Sequence, residues 1–172
     1  MSIPTLMTAH LVLRGFREDD LDAVAEMYAD NDYARFITPD GKPYTRAISW
    51  RTLCGFAGHW ALRGYGFWGV EEKASRKLIG SVGCHFPEGW PAKEVGWSIH
   101  KAHWGKGYAT EAARAALHYA ANTLRWPHAI HVINPANVRS AAVAAKLGSV
   151  REDVWLRDGV ELHLYGQDLK PD

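Results

Sequence analysis

The stretch from Glu94 to Ala112, Glu-Val-Gly-Trp-Ser-Ile-His-Lys-Ala-His-Trp-Gly-Lys-Gly-Tyr-Ala-Thr-Glu-Ala, joins an alternating apolar strand to an alanine-rich helix through a glycine turn. The first turn of any helix has backbone N–H groups without helical partners. Here those of Gly105, Lys106, Gly107, Tyr108 and Ala109 cluster at the positive end of the helix dipole, an arrangement suited to a phosphate group. Glycine lets the backbone come close to such an anion and adopt positive φ. The run lacks the Gly-Lys-Ser/Thr ending of a nucleoside-triphosphate loop and the third glycine of a dinucleotide fingerprint.

Around this stretch the pattern predicts alternating strands and helices. A first strand is expected over residues 9–14, then a helix capped by Asp19 or Asp20 with apolar positions Leu21, Val24, Ala25 and Tyr28, ended by Asn31 and Asp32. A loop carrying Pro39, Gly41 and Pro43 leads to a helix from Thr45 to Arg63, weakened by Gly55 and Gly58. Strands follow at 66–71, 78–85 and 94–99. The helix after Gly107 buries Ala109, Ala112, Ala113, Ala116, Leu117, Ala120 and Leu124. A strand at 128–133 precedes a helix over 137–147 stopped by Gly148. Strands near 150–156 and 160–168 flank the hairpin signal Asp158-Gly159. This order predicts an α/β (α+β) fold: a mixed central sheet of about six to seven strands with helices on both faces.

The 172 residues fit one domain, taken as 1–172, with no repeats or linkers. A formal charge of +1, with scattered Lys and Arg, gives no basic face for nucleic acid. Cys54 and Cys84 match no zinc spacing and are expected to be buried thiols in a reducing compartment. No His pair has metal-site spacing, and His128 and His131 fall on opposite strand faces, so no metal is expected. With neither a signal peptide nor a bilayer-length apolar run, no membrane association is expected and the location is taken as cytoplasmic. Trp126 and Trp155, taken as exposed, would permit a homodimer.

Trp104-Gly-Lys-Gly-Tyr-Ala-Thr-Glu-Ala112 resembles the acyl-CoA-binding motif of the GNAT N-acetyltransferase superfamily, with Trp104 where Gln or Arg is usual. Leu11-Val-Leu-Arg-Gly-Phe-Arg-Glu-Asp-Asp20, Asn134-Pro-Ala-Asn-Val-Arg-Ser140 and Lys146-Leu-Gly148 are similar to the Rim-type branch, the ribosomal-protein N-terminal acetyltransferases. The resemblance implies a GNAT fold that binds acetyl-CoA and passes its acetyl group to a primary amine by direct attack. It implies cofactor contacts from Trp97, Ser98 and Ile99 to the pantetheine arm, from Trp104 through Ala109 to the pyrophosphate, and from Asn134, Asn137 and Ser140.

Such a reaction needs a base, because an alkylamine is mostly protonated at neutral pH. Alternation puts Glu94, Gly96 and Ser98 on one strand face. A glutamate here often serves the family as base, and a carboxylate beside Trp90 and Trp97 would have its pKa raised by desolvation. A solvated glutamate at the strand start, or one paired with Lys93, is the plain alternative. Asn137 has an obvious role as helix cap. Ser140 shares a face with Val143, Ala144 and Leu147, so its hydroxyl points inward and stands as a catalytic candidate. Many relatives place a tyrosine, the thiolate's proton donor, where this chain has Ala144. Ser140, a water or Tyr165 would then take the role. His85 and His103 are near the site, with structural roles favoured. The resemblance puts Asp30, Asp32 and Asp40 on the acceptor side, and the acceptor, a peptide N-terminus or a small molecule, stays open. A non-catalytic acyl-CoA-binding module is the alternative reading.

Overall fold

Alternation of apolar residues builds one sheet, and the helices between its strands cover both faces. The computed structural model describes residues 3–172. The strands are β1 (Leu6–Met7), β2 (Leu11–Arg14), β3 (Phe67–Glu72), β4 (Leu78–His85), β5 (Glu94–Ile99), β6 (His128–Ile133), β7 (Val150–Arg157) and β8 (Val160–Asp168). The helices are α1 (Leu21–Ala29), α2 (Asn31–Ile37), α3 (Arg46–Arg63), α4 (Tyr108–Asn122) and α5 (Val138–Leu147). The sheet has eight strands in the order β1-β2-β3-β4-β5-β6-β8-β7, antiparallel except where β5 meets β6. It exceeds the expected six to seven because the two-residue β1 adds an edge against β2, pairing Leu6 with Leu13.

Successive residues of β4 show how the two faces are used: Ile79 joins the core under α4, and Leu78 packs against the cluster under α1 and α3. The α4 face is made of fully buried alanines, Ala112, Ala113, Ala116 and Ala120, whose small side chains let the helix lie close to the sheet. On the other face Val24, Met27, Tyr28, Tyr33 and Leu53 form a second core. Trp60 of α3 joins the first core, edge-on to Trp68 at 5.0 Å.

Four expectations needed correction. α1 does end before Asn31, but a further helix, α2, begins there, because Asp30 accepts from the N–H groups of Asp32 and Tyr33. Asp20 precedes α1 without capping it, since its carboxylate is bound by Arg14 and by the N–H of Arg17. Trp126 is not a surface residue but 3% exposed, set at right angles to Tyr65 at 5.1 Å; Trp155 is half-buried against Trp90. Cys84 is buried and Cys54 is exposed, so the pair does not behave alike. Among the described residues no helix is long and apolar enough to cross a membrane.

Candidate active site

The parallel pair β5 and β6 supplies the cleft. Their register is Glu94 opposite Ile130, with the Ile130 N–H donating to the Lys93 carbonyl at 2.9 Å. Beyond that point the strands separate, and side chains take over from the ladder. The Val132 N–H donates to Oε1 of Glu94 at 3.0 Å, and Nδ1–H of His131 donates to the Val95 carbonyl at 2.6 Å. Because the carbonyl can only accept, the His131 tautomer is fixed, and its Nε2 accepts from the Ser149 hydroxyl at 2.9 Å. The Gln167 amide donates in turn to Ser149 at 2.7 Å. Burial holds the His131 pKa down to about 4, so this wedge is neutral.

Glu94 lies at the mouth of that separation, 6% exposed, with Oε2 accepting from the Trp90 indole N–H at 2.7 Å. Desolvation pushes its carboxyl up to about 7; the Val132 N–H, the Trp90 indole and the charge of Arg157 oppose the shift without cancelling it. Trp90 is beside the carboxylate as the sequence predicts, while Trp97 points the other way and rests on the His131 ring at 4.7 Å. Lys93 is over the Trp126 ring rather than on Glu94. A carboxyl titrating near neutrality, with one donor on each oxygen and lone pairs remaining, is chemically equipped to take a proton from an ammonium group.

Two cavities meet at this cleft. The larger, about 520 Å³, is walled by Phe56, Phe67, His85, Trp90 and Glu94 and rimmed by Arg35, Asp40 and Arg157. The smaller, about 410 Å³, reaches Trp104, Gly105, Gly107, Tyr108 and Ala109 at the start of α4. Trp97, Ser98, Asn137 and Ser140 border both. The φ angles of Gly105 and Gly107 are +79° and +82°, and a Cβ built on either would meet no atom within 4 Å. The turn therefore opens onto free space, and among the described residues no protein acceptor takes the N–H groups of residues 105 to 110. Tyr108 anchors it from behind by donating to Glu72 at 2.8 Å. Bonds from Ser75 and Tyr108 hold the Glu72 pKa down to about 2.

The other sequence candidates divide. The carbonyls of Val95 and Ile99 are taken by His131 and by the Trp104 indole, the latter at 2.6 Å. By alternation the N–H and carbonyl of Trp97 between them face the cleft. Ser98 instead turns its hydroxyl to Tyr33 at 2.6 Å and Ser81 at 2.8 Å. Lys106 leans toward Glu72, 3.5 Å away, and lines neither cavity. Asn134 accepts from the Ala136 N–H at 2.9 Å, and Asn137 caps α5 through the Ser140 N–H at 3.2 Å. The Ser140 side chain has no hydrogen-bond partner among the described residues and borders both cavities. Tyr165 and the fully buried Ala144 line neither. His85 and His103 each keep a buried Nδ1 without a partner. Asp30 and Asp32 pair with Lys101 at 2.6 and 3.4 Å, and of the three acidic candidates Asp40 alone lines the larger cavity.

Sequence reasoning missed His131, Arg157 and Arg139. Arg139, in the first turn of α5, has its guanidinium over the Trp104 ring at 4.2 Å, bringing a cation beside the glycine turn. Its one sequence signal was its position beside Ser140.

Residues 10–150 match the sequence profile of a family described as an acetyltransferase (GNAT) domain. A stretch of 90 residues, 50% of this chain and 52% of the relative, is 37% identical to the uncharacterized protein YkkB of Bacillus subtilis (strain 168), so the match spans about half the length of that relative. The crystal structure of an acetyltransferase from Agrobacterium tumefaciens str. C58 is 32% identical, covers 97% of this chain and 95% of its own, and superposes with a TM-score of 0.84. RimL, a ribosomal L7/L12 alpha-N-protein acetyltransferase solved with coenzyme A, shares the fold at a TM-score of 0.82, covering 98% of this chain and all 100% of its own at 15% identity. A profile spanning most of the sequence, on a sheet whose parallel strands part beside a glycine-opened helix, places this chain in the GNAT acetyltransferase family.

Proposed function

We propose that the protein is an N-acetyltransferase that moves the acetyl group of acetyl-CoA to a primary amine by direct attack. The observation that carries this reading is the Glu94 carboxyl, raised to about 7, in the wall of one cavity while an open helix N-terminus serves the other. In this scheme the N–H groups after Trp104 hold the pyrophosphate, and Arg139 adds positive charge beside them. The pantetheine arm runs along the backbone of Trp97 and delivers the thioester to the junction at Ser140. Glu94 takes a proton from the ammonium. The nitrogen lone pair then forms the N–C bond to the thioester carbon, and collapse of the tetrahedral adduct breaks the C–S bond. The proton still on the attacking nitrogen passes to the CoA thiolate through the Ser140 hydroxyl or a water, each giving up one proton and regaining another. Glu94 releases its proton to solvent, and the products are an N-acetylated amine and CoA.

That solved proteins of the same fold carry coenzyme A, or acetyl-CoA with AMP, supports the choice of co-substrate. The test is CoA thiol release from acetyl-CoA against peptides, amino acids, polyamines and aminoglycosides. Amine-dependent release supports the scheme. Acetyl-CoA binding without turnover on any amine would leave a non-catalytic binding module instead.

The phosphate-binding role makes its own prediction. Gly107→Ala places a methyl group in the open space in front of the turn and strains a left-handed backbone position by about 1–2 kcal/mol. The methyl group standing where the phosphate would lie, rather than the strain, which free and bound protein share, is expected to raise the acetyl-CoA Kd roughly tenfold or more, a loss of about 1.4 kcal/mol, with a folded protein. Calorimetry with acetyl-CoA and a melting curve on the same sample check it, and an unchanged Kd removes the turn from the cofactor site.

A further inference from the structure

The larger cavity also says which kind of amine it would accept. A polycation needs excess negative charge, but the Asp40 and Asp158 carboxylates that line this cavity are matched by the guanidinium groups of Arg35 and Arg157, and the nearby acidic residues outside it are held by other partners. Asp30 caps α2 and pairs with Lys101, which also holds Asp32. Asp40 accepts from the Lys42 N–H at 3.1 Å.

Two guanidinium groups border the same space. Arg157, at the end of β7, lies over the Trp90 ring at 5.0 Å and near Trp155 at 5.7 Å. It lines the cavity together with Glu94, His85 and Trp90. Its carboxylate neighbour is Asp158, 3.8 Å from Nε, an ion pair too long for a hydrogen bond. Arg35 of α2 is exposed on the rim and has no carboxylate partner among the described residues. The aromatic part of the same wall is Phe56, Phe67 and Trp90, and Trp90 touches both Arg157 and Glu94.

We infer that the acceptor is a small amino-carboxylate with an apolar or aromatic body, its amine directed to Glu94 and its carboxylate to the Arg157 guanidinium. A planar guanidinium held over an indole can still offer N–H groups to a carboxylate in bidentate fashion. The aromatic wall takes the body. Transfer gives an N-acetyl amino acid and CoA. The inference rests on the acetyl-transfer reading above.

The test compares kcat/KM by thiol release for L-phenylalanine, L-phenylalaninamide, 2-phenylethylamine, spermidine and kanamycin. The amide is a stringent control, because its less basic amine is the more abundant free nucleophile near neutral pH. We expect L-phenylalanine to exceed both analogues lacking the carboxylate by roughly tenfold or more, with the polycations poorer still. Arg157→Met should bring the ratio of acid to amide close to one, and Arg157→Lys should keep part of it. Equal or better turnover of the amide, preference for spermidine or kanamycin, or an unchanged ratio in Arg157→Met overturns the inference while leaving acetyl transfer intact. Failure of every amine to accelerate thiol release from bound acetyl-CoA overturns the transferase reading itself, and this inference with it.

Discussion

Replacing Glu94 with Gln is expected to lower kcat by about a hundredfold or more, the usual contribution of a positioned base. The sign of the pH dependence follows from burial. Below about 7 the Glu94 carboxyl is protonated and cannot accept from the ammonium; above it the carboxylate is free to act as the proposed base. Wild-type kcat/KM should therefore climb as pH rises through about 7 and then flatten, and in Glu94→Gln that inflection should vanish. The substitution also has a structural cost. An amide oxygen can serve the Trp90 indole or the Val132 N–H but not both, and a buried donor left unpaired costs about 1–3 kcal/mol. A melting curve and an acetyl-CoA titration separate that loss from the chemical one. Matching pH profiles for the two proteins would take the base role away from Glu94.

The second large effect is on stability. The Arg14 guanidinium is buried, bound to both oxygens of Asp20 at 2.7 and 2.8 Å, with its Nε on Glu71 at 2.7 Å. These contacts raise its pKa further, so it is charged at every pH the protein survives. Arg14→Met strands two carboxylates and should cost about 3–5 kcal/mol. For a chain of this size that is a fall in Tm of roughly 10 °C. Adding Asp20→Asn should return part of the loss, because the two residues are in direct contact and their effects do not add. Thermal melts of the two single variants and the double variant measure the coupling. Strict additivity would show that the pair contributes nothing in the native state.

That network explains what was and was not legible in the chain. The segment from Leu11 to Asp20 is readable as a strand followed by a helix start, and its resemblance to the family is visible. Its reason is an ion pair to Glu71 across 57 positions, which no local pattern carries. Strands β4, β5 and β6 fall where the sequence places them because each is a short, largely apolar run buried along most of its length. α2 escaped because Asn31 and Asp32 read as a stop, and a short helix capped by the residue just before them looks the same in sequence. Around the candidate site, the glycine turn, Glu94 and Ser140 belong to local patterns and could be picked out. His131 and Arg157 could not, since each matters through partners brought near by the parting of β5 and β6 or by the final hairpin. Trp126 was misjudged for the same reason: the Tyr65 ring that buries it lies far back in sequence.

One carboxylate, Glu94, stands where the two central strands part, and the N–H of Val132 hangs on it. A carboxylate is a stronger acceptor than a protonated carboxyl. Whenever Glu94 takes up a proton, the bond that tethers β6 slackens, and it tightens again when the proton leaves. In the proposed reaction Glu94 is protonated once per turnover, so the tether on β6 would loosen and tighten once in each cycle. Amide exchange at Val132 would register that pulse as a faster rate under conditions that keep Glu94 protonated.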